Sequence, residues 1–204
     1  MILYGENNPA PNPRRVRIFL AEKGVDLPET RVSLMKREHK SPEHKARNSL
    51  GQVPTLVLDD GTAISETVAI CRYLESVHPQ PALFGRDGLK QALIDMWIRR
   101  IEFQMMTPVG MFWRHAHPLT ASLLTQFKDF GESNRDHYAS AARWLDRELA
   151  DGRPFITGDD YTMADIAALT TIDFAGFTGL ELPEEATTLK AWRERVSARP
   201  SASA

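Results

Sequence analysis

Cysteine is almost missing from this chain: Cys71 is the only one in 204 residues. A single thiol excludes an internal disulfide framework and any multi-cysteine metal site. Long apolar runs are missing too, and none approaches the roughly 18 residues that a membrane span needs. The N-terminus goes straight into a short apolar stretch, without the basic and apolar regions of a signal peptide. Neither sign of charge dominates, with 25 Lys and Arg against 27 Asp and Glu and a formal net charge of −2. That balance argues against a nucleic-acid footprint and against a polybasic membrane patch. There is no internal repeat. These absences leave a cytoplasmic chain as the expectation, with no nucleic acid, membrane or metal among its partners. Its length suits one or two domains and a sizeable core.

What is present reads in order. Met1 to Tyr4 is predicted as a short strand, followed by a loop from Gly5 to Pro11. Asn12 then Pro13 reads as an N-cap followed by proline at the first helical position. Val16, Phe19 and Leu20 give that helix an apolar face, and Gly24 stops it. Thr30 to Leu34 is predicted as the second strand. Lys36 to Arg47 is polar with Pro42 inside it, a loop with at most a short helix. The stretch Asn48-Ser49-Leu50-Gly51-Gln52-Val53-Pro54-Thr55-Leu56 organises the rest. Proline removes a ladder donor, so Val53 belongs to a strand edge or a turn. Spacing does not reveal whether the Val53–Pro54 bond is cis. A cis bond there would turn the Val53 N–H and C=O outward to an extended peptide. Asp59-Asp60-Gly61 reads as a hairpin turn before the strand Ala63-Ile64. Ser65-Glu66-Thr67 then opens a helix with the stripe Ile70, Leu74 and Val77. The order β-α-β, then β-β-α, is a thioredoxin-like layout.

From Pro79 to Gly88 two prolines and two glycines change the composition. The expected organisation is a domain over 1-79, a linker over 80-88 and an all-helical domain over 89-204. One helix is predicted from Leu89 to about Thr107, broken by Pro108. A helix pair is expected from about Thr120 to Leu149, with Tyr138, Ala141, Leu145 and Leu149 on one face and Asp151-Gly152 as its stop. Thr162-Met163-Ala164-Asp165 is close to a capping box, flanked by Tyr161 and Ile166 as a hydrophobic staple. Leu189, Trp192 and Val196 anchor a last helix, and Ser201 to Ala204 reads as a frayed tail.

The helix start Ser65-Glu66-Thr67 has a chemical use. Backbone N–H groups and a hydroxyl suit an amino acid's carboxylate, and Glu66 suits its ammonium. Asn-x-x-Gly-x-Val-Pro, a hairpin, then Glu-Thr-x-Ala-Ile-x-x-Tyr-Leu resembles the glutathione-binding half of the cytosolic glutathione transferases, with Theta- and Nu-like features. That family usually has Ser where Thr67 stands, and Thr keeps the hydroxyl. The resemblance implies an α/β thioredoxin-like N-terminal domain plus an all-α C-terminal helical domain, assembled as a homodimer. It implies glutathione as co-substrate and a role in detoxification. The thiolate would attack a small hydrophobic electrophile held against the helical domain. It also implies that Glu66 and Thr67 hold the γ-glutamyl end and that Gln52 and the Val53 backbone hold the middle. His39 and Lys40, at the Theta-like spacing, would hold the glycine carboxylate. On pattern alone the same stretch is a β-hairpin and a packed amphipathic helix.

Such an enzyme must lower the thiol's pKa, and a helix N-terminus, a cation and a hydrogen-bond donor all favour thiolate. The family places its hydroxyl or thiol in a Ser/Cys-Pro-x-x-x-Arg-Val-Arg phrase. Here the phrase reads Ala10-Pro11-Asn12-Pro13-Arg14-Arg15-Val16-Arg17, so that position falls on Ala10, which has no donor. Two catalytic candidates stand in. Asn12 matches a sulfur-contacting asparagine of Nu-class members, and an amide donates without ionising; its bland alternative is a plain N-cap. Tyr4 would play the role tyrosine has in other classes, or be a strand-end aromatic. Arg14 and Arg15 are nearby cations. Cys71 reads as an inert packed thiol. Met105, Met106, Met111, Phe112 and Trp113, with Phe174 and Phe177, are core or the lining of an apolar pocket. Three functions follow: conjugation to an electrophile, glutathione-dependent disulfide or peroxide reduction, and a non-catalytic glutathione-binding module.

Overall fold

Short β-rich runs and longer helical ones separate cleanly in the computed structural model, which describes residues 1–204. Two units result: Met1–Leu83 together with Pro200–Ala204, and Phe84–Arg199.

The first unit runs β1 (Ile2–Gly5), α1 (Pro11–Lys23), β2 (Glu29–Arg31), α2 (Pro42–Arg47), β3 (Thr55–Val57), β4 (Ala63–Ser65) and α3 (Thr67–Val77). Its sheet has the order β2-β1-β3-β4. β1 and β2 are parallel, with Gly5 opposite Arg31, while β3 is antiparallel to both β1 and β4. Leu3 and Leu56 from the sheet, Val16, Ile18 and Phe19 from α1, and Ile70 and Leu74 from α3 form the core. Val77, expected on that stripe, stays 44% exposed at the end of α3. Lys23 carries a buried side chain to Glu75, pinning α1 to α3 by an ion pair. Cys71 is fully buried, and burial pushes its thiol well above the ordinary range. It is packing, not chemistry.

Two expectations for this unit are corrected. Helix α1 starts at Pro11 with Ala10 as its cap, so Asn12 is the second helical residue and not the N-cap. Either proline can open a helix, and the chain uses the first. The last residues are not frayed either. Pro200–Ser203 form a 3-10 turn in which Ser201 and Ala202 are buried. Arg14 Nη2 donates to the Ala202 carbonyl at 2.7 Å, and Ser201 Oγ donates to the Glu22 carboxylate.

The second unit is helical: α4 (Gly88–Arg100), α5 (Thr107–His115), α6 (Lys128–Glu148), α7 (Met163–Thr178) and α8 (Thr187–Ser197). Pro108 does not break the chain's course. A π-helical turn at Ile101–Met106 leads directly into α5, with Pro108 in its first turn. The wide turn leaves room for a ring without an N–H, and Thr107 Oγ1 bonds the Glu102 carbonyl at 3.0 Å. The helix pair expected from Thr120 is one helix beginning at Lys128, preceded by a 3-10 turn at Pro118–Thr120. Gly131 lets α6 approach closely, because a Cβ there would stand 2.7 Å from the Ala116 nitrogen. Met105, Phe112 and Phe174 are core, whereas Phe177 is 44% exposed beside the Trp113 ring.

Helix α7 is apolar nearly all round, the pattern of a helix packed on every side. Its start is the capping box expected from Thr162 and Asp165. The fully buried Asp165 carboxylate accepts from Thr162 N and Ile156 N, both at 2.9 Å, and from Trp192 Nε1 at 3.2 Å. Burial pushes this carboxyl up to about 6, and the donors around it hold back a larger rise. A raised folded-state value means that between about pH 4 and 6 the folded chain keeps a proton the unfolded chain has lost. The contribution of Asp165 to stability is therefore greatest at low pH and falls as pH rises through about 6. In Asp165→Asn that slope should vanish, and one or more buried donors should lose an acceptor, costing about 1–3 kcal/mol at neutral pH. Chemical denaturation of both proteins from pH 4 to 8 tests this; parallel stability curves would contradict it.

Candidate functional site

Strand register decides which loops meet. Thr55 of β3 lies opposite Tyr4 of β1 and opposite Ser65 of β4. Continuing β3 backward past Thr55 therefore brings Val53 and Gln52 alongside the residues that follow Ser65, which are Glu66 and Thr67. The same end of the sheet is where β1 leaves toward α1, carrying Asn12, and where the parallel β2 leaves toward His39 and Lys40. Four segments far apart in sequence thus converge on one sheet end. Helices α1 and α3 both begin there, each with the positive end of its peptide dipoles.

Each group has its own setting. Glu66 stands before α3 at φ 69 and ψ 121, a backbone conformation that side chains rarely adopt. It is exposed, and its carboxylate bonds nothing in the chain. Such an outlier persists where surrounding structure imposes it, and it points to a site. Thr67 follows as the first helical residue, 7% exposed. The Val53–Pro54 bond is cis. Val53 N–H and C=O take no hydrogen bond from the chain, and Gln52's side chain is exposed. Gln52's carbonyl, by contrast, accepts from His44 Nε2 at 2.8 Å and from Asn48 Nδ2 at 3.1 Å. Lys40 Nζ donates to the Leu50 and Gly51 carbonyls at 3.0 and 2.7 Å, which ties the 3-10 turn at Glu38–Lys40 to this loop. Burial, and then the charges of Lys40 and Arg37, hold the His39 imidazole below its ordinary pKa. His39 is thus a neutral donor near neutral pH, beside the cation of Lys40.

At α1 the first turn is poor in donors. Pro11 and Pro13 have no N–H, and Arg14 N already bonds the Ala10 carbonyl at 3.4 Å. The Asn12 amide is what remains open, and its half-buried carboxamide has no partner in the chain. The Tyr4 ring is occupied differently, stacked under the Arg47 guanidinium at 4.4 Å. Of the nearby cations, Arg15 is buried at 2% exposure and Arg14 holds Ala202. The loop between β1 and α1 is anchored by Glu6. Burial acts to raise the Glu6 carboxyl, but Arg31 Nε at 2.7 Å and the Leu34 and Asn7 amides outweigh it and hold the group below its usual range. Arg17 bonds the Glu6 carbonyl at 3.1 Å and Asn8 Oδ1 at 2.7 Å.

An amide donor at one helix start, a carboxylate with a hydroxyl at another, an open β edge between them and a basic corner together suit a small extended peptide. The comparisons with known proteins give the family. The family models for the glutathione S-transferase N-terminal and C-terminal domains match residues 10–77 and 119–200. The chain belongs to the glutathione S-transferase family. Glutathione S-transferase 2 of Saccharomyces cerevisiae is 40% identical over 206 residues, covering 98% of this chain and 87% of that protein. The crystal structure of Gtt2 from the same yeast superposes with a TM-score of 0.92 at 37% identity, covering 100% of this chain and 99% of that one. Maleylacetoacetate isomerase of Pseudomonas aeruginosa is 32% identical over 161 residues, 78% of this chain and 71% of that protein. With the family shown, the thioredoxin-like sheet unit and the helical unit are its two characteristic parts.

Sequence reasoning missed His44, Glu6 and Arg17, which touch backbone atoms of the loops and not the open end itself. Arg17 stood inside the family phrase, but nothing there signalled its bonds. Gly51 was visible as a turn residue, and the structure shows why it is needed: at φ 57, a Cβ would stand 2.6 Å from the His39 carbonyl. Gly51→Ala should therefore cost about 1–3 kcal/mol in strain and displaced backbone. Thermal or denaturant unfolding at unchanged m checks it, and an unaffected midpoint would refute the close approach.

Proposed function

We propose that this protein is a glutathione transferase in which the first unit binds glutathione and the tripeptide's thiolate attacks a small hydrophobic electrophile. The observation that carries this reading is the unpartnered set at one sheet end: Glu66 in its strained conformation, Thr67, the Val53 backbone and Asn12. Glutathione has complementary parts in the same order. Its γ-glutamyl ammonium and carboxylate suit Glu66 and the start of α3, its cysteinyl backbone suits Val53, and its glycine carboxylate suits His39, Lys40 and Gln52. The thiolate then falls to Asn12 and the open end of α1. The Arg47 stack gives the Tyr4 ring a structural occupation, which favours Asn12 over Tyr4. Residues 1-79 serve as the glutathione-binding domain, joined by the docked turn at Pro200–Ala204, with 80-88 as linker and the helical domain from 89 to 199. The family likeness is what supports a homodimer acting in detoxification in the cytoplasm.

A second reading is supported by Ala10. Without a hydroxyl or thiol at that position, the protein uses glutathione sulfur for disulfide or peroxide reduction, or binds glutathione without turnover. Assays with one aryl halide, one peroxide and one mixed disulfide, beside direct glutathione binding, separate these functions.

Two substitutions test the assignments. Charge-assisted hydrogen bonds contribute roughly 1.5–3 kcal/mol, so Glu66→Ala should weaken glutathione binding about tenfold or more. Unchanged calorimetric affinity in the folded variant would remove Glu66 from the site. Asn12→Ala should reduce turnover more than glutathione affinity, because its amide acts mainly on the ionised sulfur. The thiolate absorbance band of bound glutathione should move to higher pH. Asn12 does not cap α1, so its loss should leave the melting point nearly unchanged. Full activity with an unmoved thiolate band would transfer the role to Tyr4.

A further inference from the structure

The peptide joining Gln52 to Val53 is trans, so the Gln52 C=O and the Val53 N–H share a plane and point in opposite directions. Whatever seats that carbonyl therefore aims that amide. Three side chains seat it: His44 Nε2 at 2.8 Å, Asn48 Nδ2 at 3.1 Å and Thr55 Oγ1 at 3.5 Å. His44 makes the shortest of these bonds and is only 2% exposed. Helix α2 delivers it, with Pro42 in the first turn and Ser41 Oγ accepting from the His44 amide at 3.1 Å. A carbonyl oxygen only accepts, so Nε2 carries the proton. The buried Nδ1 has no partner, which leaves the Gln52 carbonyl as the group that selects this tautomer.

We propose that His44 is a positioning residue: by holding the Gln52 carbonyl inward, it turns the Val53 amide outward to the cysteinyl backbone of glutathione. The proposal rests on the glutathione reading given above. His44 acts through the peptide plane and not at the sulfur, so its removal weakens glutathione binding and leaves the chemical step.

Calorimetric titration of glutathione into wild type, His44→Gln and His44→Asn tests this, together with the KM for glutathione and the kcat, measured with whichever of the aryl halide, peroxide and mixed disulfide named above the wild type turns over. A glutamine amide nitrogen reaches the place of Nε2, and the shorter asparagine does not. His44→Asn should weaken glutathione binding about tenfold, as loss of one buried hydrogen bond does, and raise KM to match. Its kcat should hold at saturation, and His44→Gln should restore most of the affinity. Wild-type affinity in folded His44→Asn overturns the proposal, as do equal losses in both variants or a loss in kcat at unchanged KM. A wild type that does not bind glutathione refutes the functional reading itself. Should His44→Asn not fold, nitrogen-15 NMR of the wild type decides. The His44 Nε2 must carry the proton and the Val53 amide must shift on adding glutathione; an unprotonated Nε2 or an unmoved Val53 amide overturns the proposal.

Discussion

Thr55 is held in two antiparallel registers at once, against Tyr4 on one side and Ser65 on the other. Everything proposed for the site depends on that alignment. A slip of one residue in either pairing would exchange the buried and open faces of β3 and move Val53 out of line with Thr67. The alignment is strongly specified because Leu56, one residue on, is fully buried between Leu3 and Ile64 in the same two ladders. Hydrophobic burial of one side chain thus fixes where polar groups three and four residues away, on Val53 and Gln52, are presented. The core and the binding end are one constraint expressed on two sides of a short strand.

That end of the sheet is electrostatically uneven in a useful way. Two helix starts and the Lys40 ammonium favour anions, while Glu66 is an exposed acid at the start of α3. Glutathione brings two carboxylates, one ammonium and, once ionised, a thiolate. On the functional reading above, the matching is by position as well as by total: the acid stands at the end that would receive the ammonium, and the imidazole and cation of His39 and Lys40 stand at the opposite corner. An arrangement of this kind would lower the free energy of the thiolate electrostatically, with the thiol's proton released to solvent.

How much of this was legible in the residues differed by element. The β-α-β, then β-β-α layout and the central hairpin were readable, because Gly51, Pro54 and Asp60-Gly61 punctuate the hairpin with residues whose backbone limits are known. The start of α1 was misread by two residues, since two prolines spaced two apart both satisfy the same rule. Pro108 was misread for a related reason: proline ends a regular helix, but a π turn that also frees a carbonyl for Thr107 lets the chain continue. The tail looked frayed because small polar residues carry no periodicity, and its anchors, Arg14 and Glu22, lie about 180 residues away. His44 was silent for the same reason. Its partner is a backbone carbonyl, and backbone partners leave no trace in sequence.

The division of labour among elements explains how Ala10 is tolerated. On the functional reading above, the residues that grip the peptide lie on the β3–β4 hairpin, its flanking turns and the start of α3. The residue that meets the sulfur lies on α1. The two sets are fastened separately, the first by His44, Asn48 and Lys40, the second by Arg17, Glu6 and the docked C-terminal turn. A change at the sulfur position can therefore alter the chemistry while binding persists. Alanine at the cap of α1 forgoes a side-chain acceptor, ordinarily worth about 1 kcal/mol to a helix. Pro11 compensates in part by presetting the first helical φ, and Arg14 adds a tie from the same turn to Ala202. The helix start is thus kept in place without the hydroxyl, and the duty of meeting a thiolate passes to the one amide residue that the two prolines leave open.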